Sequence, residues 1–195
     1  MINIINVPKH HWNYFLAIER DLEQVSRYIE FTQDNLGTYS IELAHILLSA
    51  SSEVDVVMKQ LCELVAPERP AETIDHYRPT IRAQLANLIA EPVYISRYGL
   101  EFKPWEIWSN DVNPDWWRSY NKVKHQRNIH FNKANLQNTI NAVGALLLTT
   151  LYYYTQVFSL SEKKKVNIQY TTYSLEPQNS FLTANSAYYY KSLSA

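Results

Sequence analysis

The sequence predicts an all-α protein: a bundle of about five helices, a small extended or β-hairpin insertion over 92–113, and an irregular C-terminal tail. Three observations carry this. The chain holds only 3 glycines in 195 residues, whereas sandwiches, barrels and nucleotide-binding α/β folds need glycine at their turns. Long segments place apolar residues three and four apart, the spacing of one helix face. Pro67, Pro70 and Pro114 fall between those segments, where helices stop or start.

The first helix is expected from Pro8 in its opening turn to about Phe31, with Trp12, Phe15, Leu16, Leu22, Val25, Tyr28 and Ile29 at helical spacing. Asn35, Leu36 and Gly37 stop it. A second helix runs from near Ser40 to about Val65 and carries a wide apolar face, including Leu43, Leu47, Val54, Met58 and Leu61. Pro67 and Pro70 end it. The short connection pairs these two helices antiparallel. Thr73 and Asp75 open a third helix over 73–90, with Pro79 in an early turn or at a kink. Residues 92–108 alternate around Gly99, which suggests a hairpin or extended arm. Asn113, Pro114 and Asp115 read as a turn and N-cap that launch a fourth helix. The fifth, roughly 135–159, is the most apolar segment. After Ser161 the pattern dissolves into a lysine run and a Ser/Thr/Asn/Tyr-rich tail. The bundle is therefore assigned to 1–160 and the tail to 161–195, as part of the same domain or as an interface arm.

Composition narrows the function classes. A 22.9 kDa chain with 46% hydrophobic and 19% charged residues suits one globular domain. A formal net charge of -1 excludes a surface built wholly to grip nucleic acid, and leaves room for a local basic patch. The single cysteine, Cys62, rules out an internal disulfide and a thiolate zinc site, and its apolar setting reads as core. The N-terminus shows no secretory signal pattern. Residues 141–158 are short for a bilayer span and are broken by Thr149, Thr150, Thr155 and Gln156, so a buried central helix is expected. The expected location is cytoplasmic, with no membrane partner.

One stretch concentrates aromatic and cationic side chains: WWRSYNKVKHQRNIHF, 116–131. On a helix turning ~100° per residue, Trp116, Tyr120, Val123, Arg127 and Phe131 share one quadrant, flanked by Lys124 and Trp117. Arg118, Lys122, His125 and Ile129 fall opposite. Cations on an apolar face demand acidic partners, since a buried unpaired charge costs roughly 3–5 kcal/mol. Glu53, embedded in the apolar second helix, is the expected partner of Lys124 or Arg127 in a buried charge network. His125 and His130 stand five apart, not at the three or four of helical metal pairs, so no metal site and no cofactor is expected.

The pattern WWxxYNxVKHxR followed by an Ala/Leu-rich helix resembles uncharacterised bacterial proteins of the HEPN class (higher eukaryotes and prokaryotes nucleotide-binding domains). The resemblance covers roughly 10–160. It implies a helical bundle, often a homodimer, whose best-known members are metal-independent RNases of toxin–antitoxin and phage-defence systems. Their signature is an Arg and a His one to two helical turns apart on one helix, usually with Asn, Asp or His after the Arg. Arg118 and His125, with six residues between them and Ser119 after the Arg, match the spacing. Arg127 and His130 are too close.

The resemblance thus implies Arg118 and His125 as catalytic, with cleavage by the RNA 2′-hydroxyl. His125 would serve as general base or acid and Arg118 would stabilise phosphate charge. Lys122 would track the RNA backbone, and Tyr120 or Trp117 could stack a splayed base if exposed. A second reading is a non-catalytic interaction module, dimeric or docked on a cognate protein, which the tyrosine-rich tail would suit. A third is a small-molecule site near Trp105, Trp108 and Trp116.

Overall fold

The computed structural model describes residues 8–189. It is mostly helical, with one two-stranded antiparallel sheet. Among the described residues there are seven α-helices: α1 (His10–Val25), α2 (Ile41–Val65), α3 (Ile74–Gln84), α4 (Ala86–Ala90), α5 (Asp115–His130), α6 (Leu136–Glu162) and α7 (Ile168–Ser174). Three differences separate these from the five expected helices, and the last two account for the count.

The first concerns the helix expected to reach Phe31. It ends at Val25, where the Ser26 hydroxyl donates to the Glu23 carbonyl and tightens the last turn. Phe31 is still buried, now from a loop, against Tyr98 and Phe181. Next, the segment 73–90 is two helices. Its chain breaks at Leu85 (φ -138°, ψ 46°), six residues after Pro79. Finally, the tail contains α7, which Asn167 caps by accepting from the Tyr170 amide at 2.8 Å.

Helix α6 is the central post. Buried residues occur all round its middle turns, from Ala142 through Leu148 and on to Tyr154, as its uniform apolarity requires. Helix α2 packs along it, and α1 covers both. Both long helices start on side-chain caps: Ser40 accepts from the Leu43 amide at 3.1 Å, and Asn135 accepts from the Asn138 amide at 3.0 Å. The α1–α2 connection completes the α6 start. Carbonyls of Thr38 and Leu36 accept from the Leu136 and Gln137 amides at 2.9 and 3.0 Å, satisfying donors that a helix N-terminus leaves free.

The insertion is a hairpin, β1 (Val93–Ile95) with β2 (Leu100–Phe102), in the register Val93↔Phe102 and Ile95↔Leu100. Gly99 turns it at φ +64°. The hairpin sits so close to α6 that a Cβ on Gly144 would lie 2.6 Å from Val93 Cγ2. The tail then adds a bridge from Thr183 to Tyr94, so the hairpin is held from both sides. No helix among the described residues is long and apolar enough to cross a membrane.

Candidate functional site

Helix α5 carries the candidate site, and its approach is clamped. Asp111 takes a left-handed conformation (φ 60°) at the end of the preceding 3-10 turn. Arg78 of α3 donates to Asp111 at 2.8 Å, to Asp75 at 3.0 Å and to Asn113, while Arg82 reaches Asp111 at 3.2 Å. Hydrogen bonds and charge from Arg78 hold the Asp111 carboxyl below the usual carboxylate range. This fork pins the turn from which α5 departs.

The first two turns of α5 are then anchored by aromatic packing. Trp116 is buried and its indole donates to the Pro104 carbonyl at 2.9 Å. Trp105 meets Trp108 at 4.2 Å and Trp116 at 5.1 Å, edge-on in the second case. Trp117 meets Tyr120 at 5.3 Å. The inward face is thus locked, and the opposite strip faces outward.

On that strip Arg118 is exposed and pairs with Asp115, three residues earlier. Lys122 and His125 are exposed with no hydrogen bond or ion pair among the described residues. His125 follows Arg118 by seven positions, which places them about 20° apart around the axis and about 10 Å apart along it. The helix breaks immediately afterwards: Gln126 is non-helical (φ -140°, ψ 48°). Arg118, Lys122 and His125 therefore belong to one unbroken segment.

The expected charge network is corrected, for Arg127 by the same break. Projecting 116–131 as one straight helix put Lys124 and Arg127 on the buried face; both are exposed. Lys124 lies over the Tyr120 ring, 5.4 Å from its centre, with Nζ 3.4 Å from the hydroxyl. Arg127 follows the break and borders an apolar groove with Ile41, His45 and Phe131. Glu53 has a different partner altogether. Its Oε1 lies 2.6 Å from His11 Nδ1, and His11 Nε2 lies 3.3 Å from Gln60 Oε1. With the histidine so close, Glu53 needs neither cation of α5. A trace of this was present in sequence, because Glu53 and Gln60 stand two helical turns apart on α2 and so share a face. Nothing in the sequence pointed to His11 rather than to any other polar side chain.

Tyr120 is corrected too. It is buried, packed against Trp117 and covered by Lys124, so it offers no free face for a base. Trp117 is likewise buried. Trp105 and Trp108 are core residues, which closes the space between them to a ligand. Beside Trp116, however, lies a polar cleft of about 710 Å³ bordered by Lys103, Asp115, Ser119, Lys133 and Asn138. The Asn138 amide donates to the Ser119 hydroxyl at 3.1 Å and to the Lys133 carbonyl at 2.9 Å, forming part of its floor.

Other reactive groups have structural settings. Cys62 is buried, and that burial pushes its thiol up to about 12, away from thiolate chemistry. No group of three or more His, Cys, Asp or Glu side chains placed to hold a metal occurs among the described residues. Comparison with known proteins adds no relative: no family model, curated protein or solved structure matches the chain.

Proposed function

We propose that the chain is a HEPN-like RNA-binding protein whose α5 strip meets an RNA backbone, acting as a metal-independent endoribonuclease in a bacterial defence or toxin–antitoxin system. The observation that supports this reading most is the exposure of Arg118, Lys122 and His125 together on one unbroken segment of α5. Arg118 presents a planar fork suited to a phosphate oxygen pair. It must first leave Asp115, an exposed pair that contributes little to stability and so yields readily to a phosphate. His125 takes the proton of the attacking 2′-hydroxyl or gives one to the departing 5′-oxygen, the general acid or base work for which imidazole is the commonest side chain. One histidine serves one of these steps. In the homodimer that the resemblance implies, the second histidine would serve the other.

The test is cleavage of an unstructured RNA by purified protein in EDTA, beside a His125→Ala form. Wild-type cleavage that the variant lacks supports the catalytic role. Equal cleavage by both, or none by either, removes it.

A non-catalytic interaction module is the second reading. It is favoured by the large apolar side chains left exposed near the start of α2 and the end of α5: Tyr39, Ile41 and Ile129 are at least half exposed.

A further inference from the structure

We infer that the polar cleft beside Trp116 selects a nucleobase bearing an exocyclic amine (adenine, cytosine or guanine) from the bound strand, a reading that rests on the proposed RNA contact of Arg118 and Lys122. The cleft, of about 710 Å³, falls within the roughly 300–1,000 Å³ of small-ligand sites. Its α5 wall adjoins the outward strip. Asp115 and Ser119, four residues apart on one face, border it, and Arg118 pairs with Asp115 at its rim. Lys122 follows Arg118 by four positions and Ser119 by three, so it stands between them around the axis. A backbone held by Arg118 and Lys122 therefore runs along the edge of the cleft, from which one base can turn in.

Charge decides which part of a nucleotide enters. Lys103 and Lys133 border the cleft, and so do Glu106 and Asp115, with Lys103 3.7 Å from Glu106. Two cations against two carboxylates leave no net charge to draw a phosphate inside. A neutral, hydrogen-bonding base suits the space better. The α6 wall sets which base. Asn138 Nδ2 donates to the Lys133 carbonyl at 2.9 Å and to the Ser119 hydroxyl at 3.1 Å, while Asn141 Nδ2 donates to the Gln137 carbonyl at 2.9 Å. Each amide nitrogen is thus committed to a carbonyl, and each amide oxygen is turned away from it. Neither oxygen accepts a hydrogen bond among the described residues. Two acceptors call for two hydrogens on one group, which an exocyclic amine provides. Uracil offers a single N–H between two carbonyls and leaves an amide oxygen without a donor, at a cost in affinity.

The experiment is fluorescence anisotropy at low salt with labelled oligo(A), oligo(C) and oligo(U) of about a dozen nucleotides. Wild type is expected to bind oligo(A) and oligo(C) at least about fivefold tighter than oligo(U). Asn138→Ala and Asn141→Ala, each with a melting temperature close to wild type, are expected to bring both down toward the oligo(U) level. Asn141 is partly exposed, so its variant alone serves should Asn138→Ala unfold. Arg118→Ala/Lys122→Ala is expected to weaken all three oligomers alike and keep their order. Equal or tighter binding of oligo(U), or a preference that survives Asn141→Ala, would overturn the cleft while leaving the strip in place. Should no oligomer bind, the strip falls, and saturation-transfer NMR with cytidine and uridine decides the cleft by itself. A cytidine signal stronger than that of uridine and weakened by Asn141→Ala supports it, and equal or absent signals overturn it.

Discussion

His11 Nδ1 of α1 sits 2.6 Å from Glu53 Oε1 of α2, across 42 residues of chain, and Tyr153 of α6 packs edge-on against the same imidazole at 5.2 Å. Three helices therefore converge on one half-buried ring. Removing either member leaves the other polar group facing a largely closed site. Glu53→Ala is expected to lower stability by about 2–4 kcal/mol, measured by urea unfolding. Lys124→Ala and Arg127→Ala, both exposed, are expected to change it by no more than about 0.5 kcal/mol. The reverse order would restore the α5 cations as partners of Glu53.

Glu19 ties α1 to the tail. Its carboxylate is buried and accepts from the backbone amides of Phe181 at 3.0 Å and Leu182 at 2.8 Å, with Ser180 at 3.3 Å. Burial outweighs these hydrogen bonds and raises its pKa above the ordinary 4.5. A folded value above the unfolded one gives a stability contribution that is full below the unfolded pKa. It is lost as pH rises through the folded pKa. Relative to Glu19→Gln, wild type should therefore gain melting temperature as pH falls from neutral toward 4.5. A difference between the two proteins that is flat with pH, or of opposite sign, would contradict this.

Gly144 permits the hairpin to touch α6. A methyl placed there meets Val93 Cγ2 at 2.6 Å, and Val93 is fully buried. Gly144→Ala is expected to cost about 1–3 kcal/mol despite the better helix propensity of alanine. Val93→Ala removes the obstructing methyls. The double variant should therefore be more stable than the sum of the two single effects, a coupling that thermal unfolding of all four proteins measures.

The Arg118–Asp115 pair sets a competition at the proposed RNA surface. Asp115→Asn removes the competing charge and one repulsive carboxylate, so RNA affinity should rise severalfold at low salt. Arg118→Ala should lower it. Fluorescence anisotropy with a labelled single-stranded RNA reads both. Equal affinities for all three proteins would take Arg118 out of the contact.

The helical class was legible because few glycines, interleaved prolines and two long apolar runs agree with one another. The starts expected near Ser40 and residue 135 match those of α2 and α6, where the structure shows Ser40 and Asn135 as caps. The break in α5 was not legible: no glycine or proline occupies 124–128, and Gln126 carries no signal of its departure from helical geometry. That one backbone residue misplaced Arg127, which follows it, while leaving the outward position of Arg118, Lys122 and His125 intact; Lys124, ahead of the break, lies over the Tyr120 ring on the flank of the apolar face. The tail was misread for another reason. Its anchoring groups are backbone amides held by Glu19 and a Pro177 carbonyl held by the Trp12 indole at 2.9 Å, and backbone groups leave no pattern in composition.

The central claim is that the α5 strip binds an RNA backbone, whether or not it cuts. Its most direct measurement is the salt dependence of single-stranded RNA binding for wild type and for Arg118→Ala/Lys122→Ala. Wild type is expected to bind at low salt and to weaken as salt rises. Loss of two phosphate contacts should reduce the slope of log affinity against log salt by about 1.4, at ~0.7 per contact. No binding by wild type at low salt, or identical slopes for the two proteins, would contradict it.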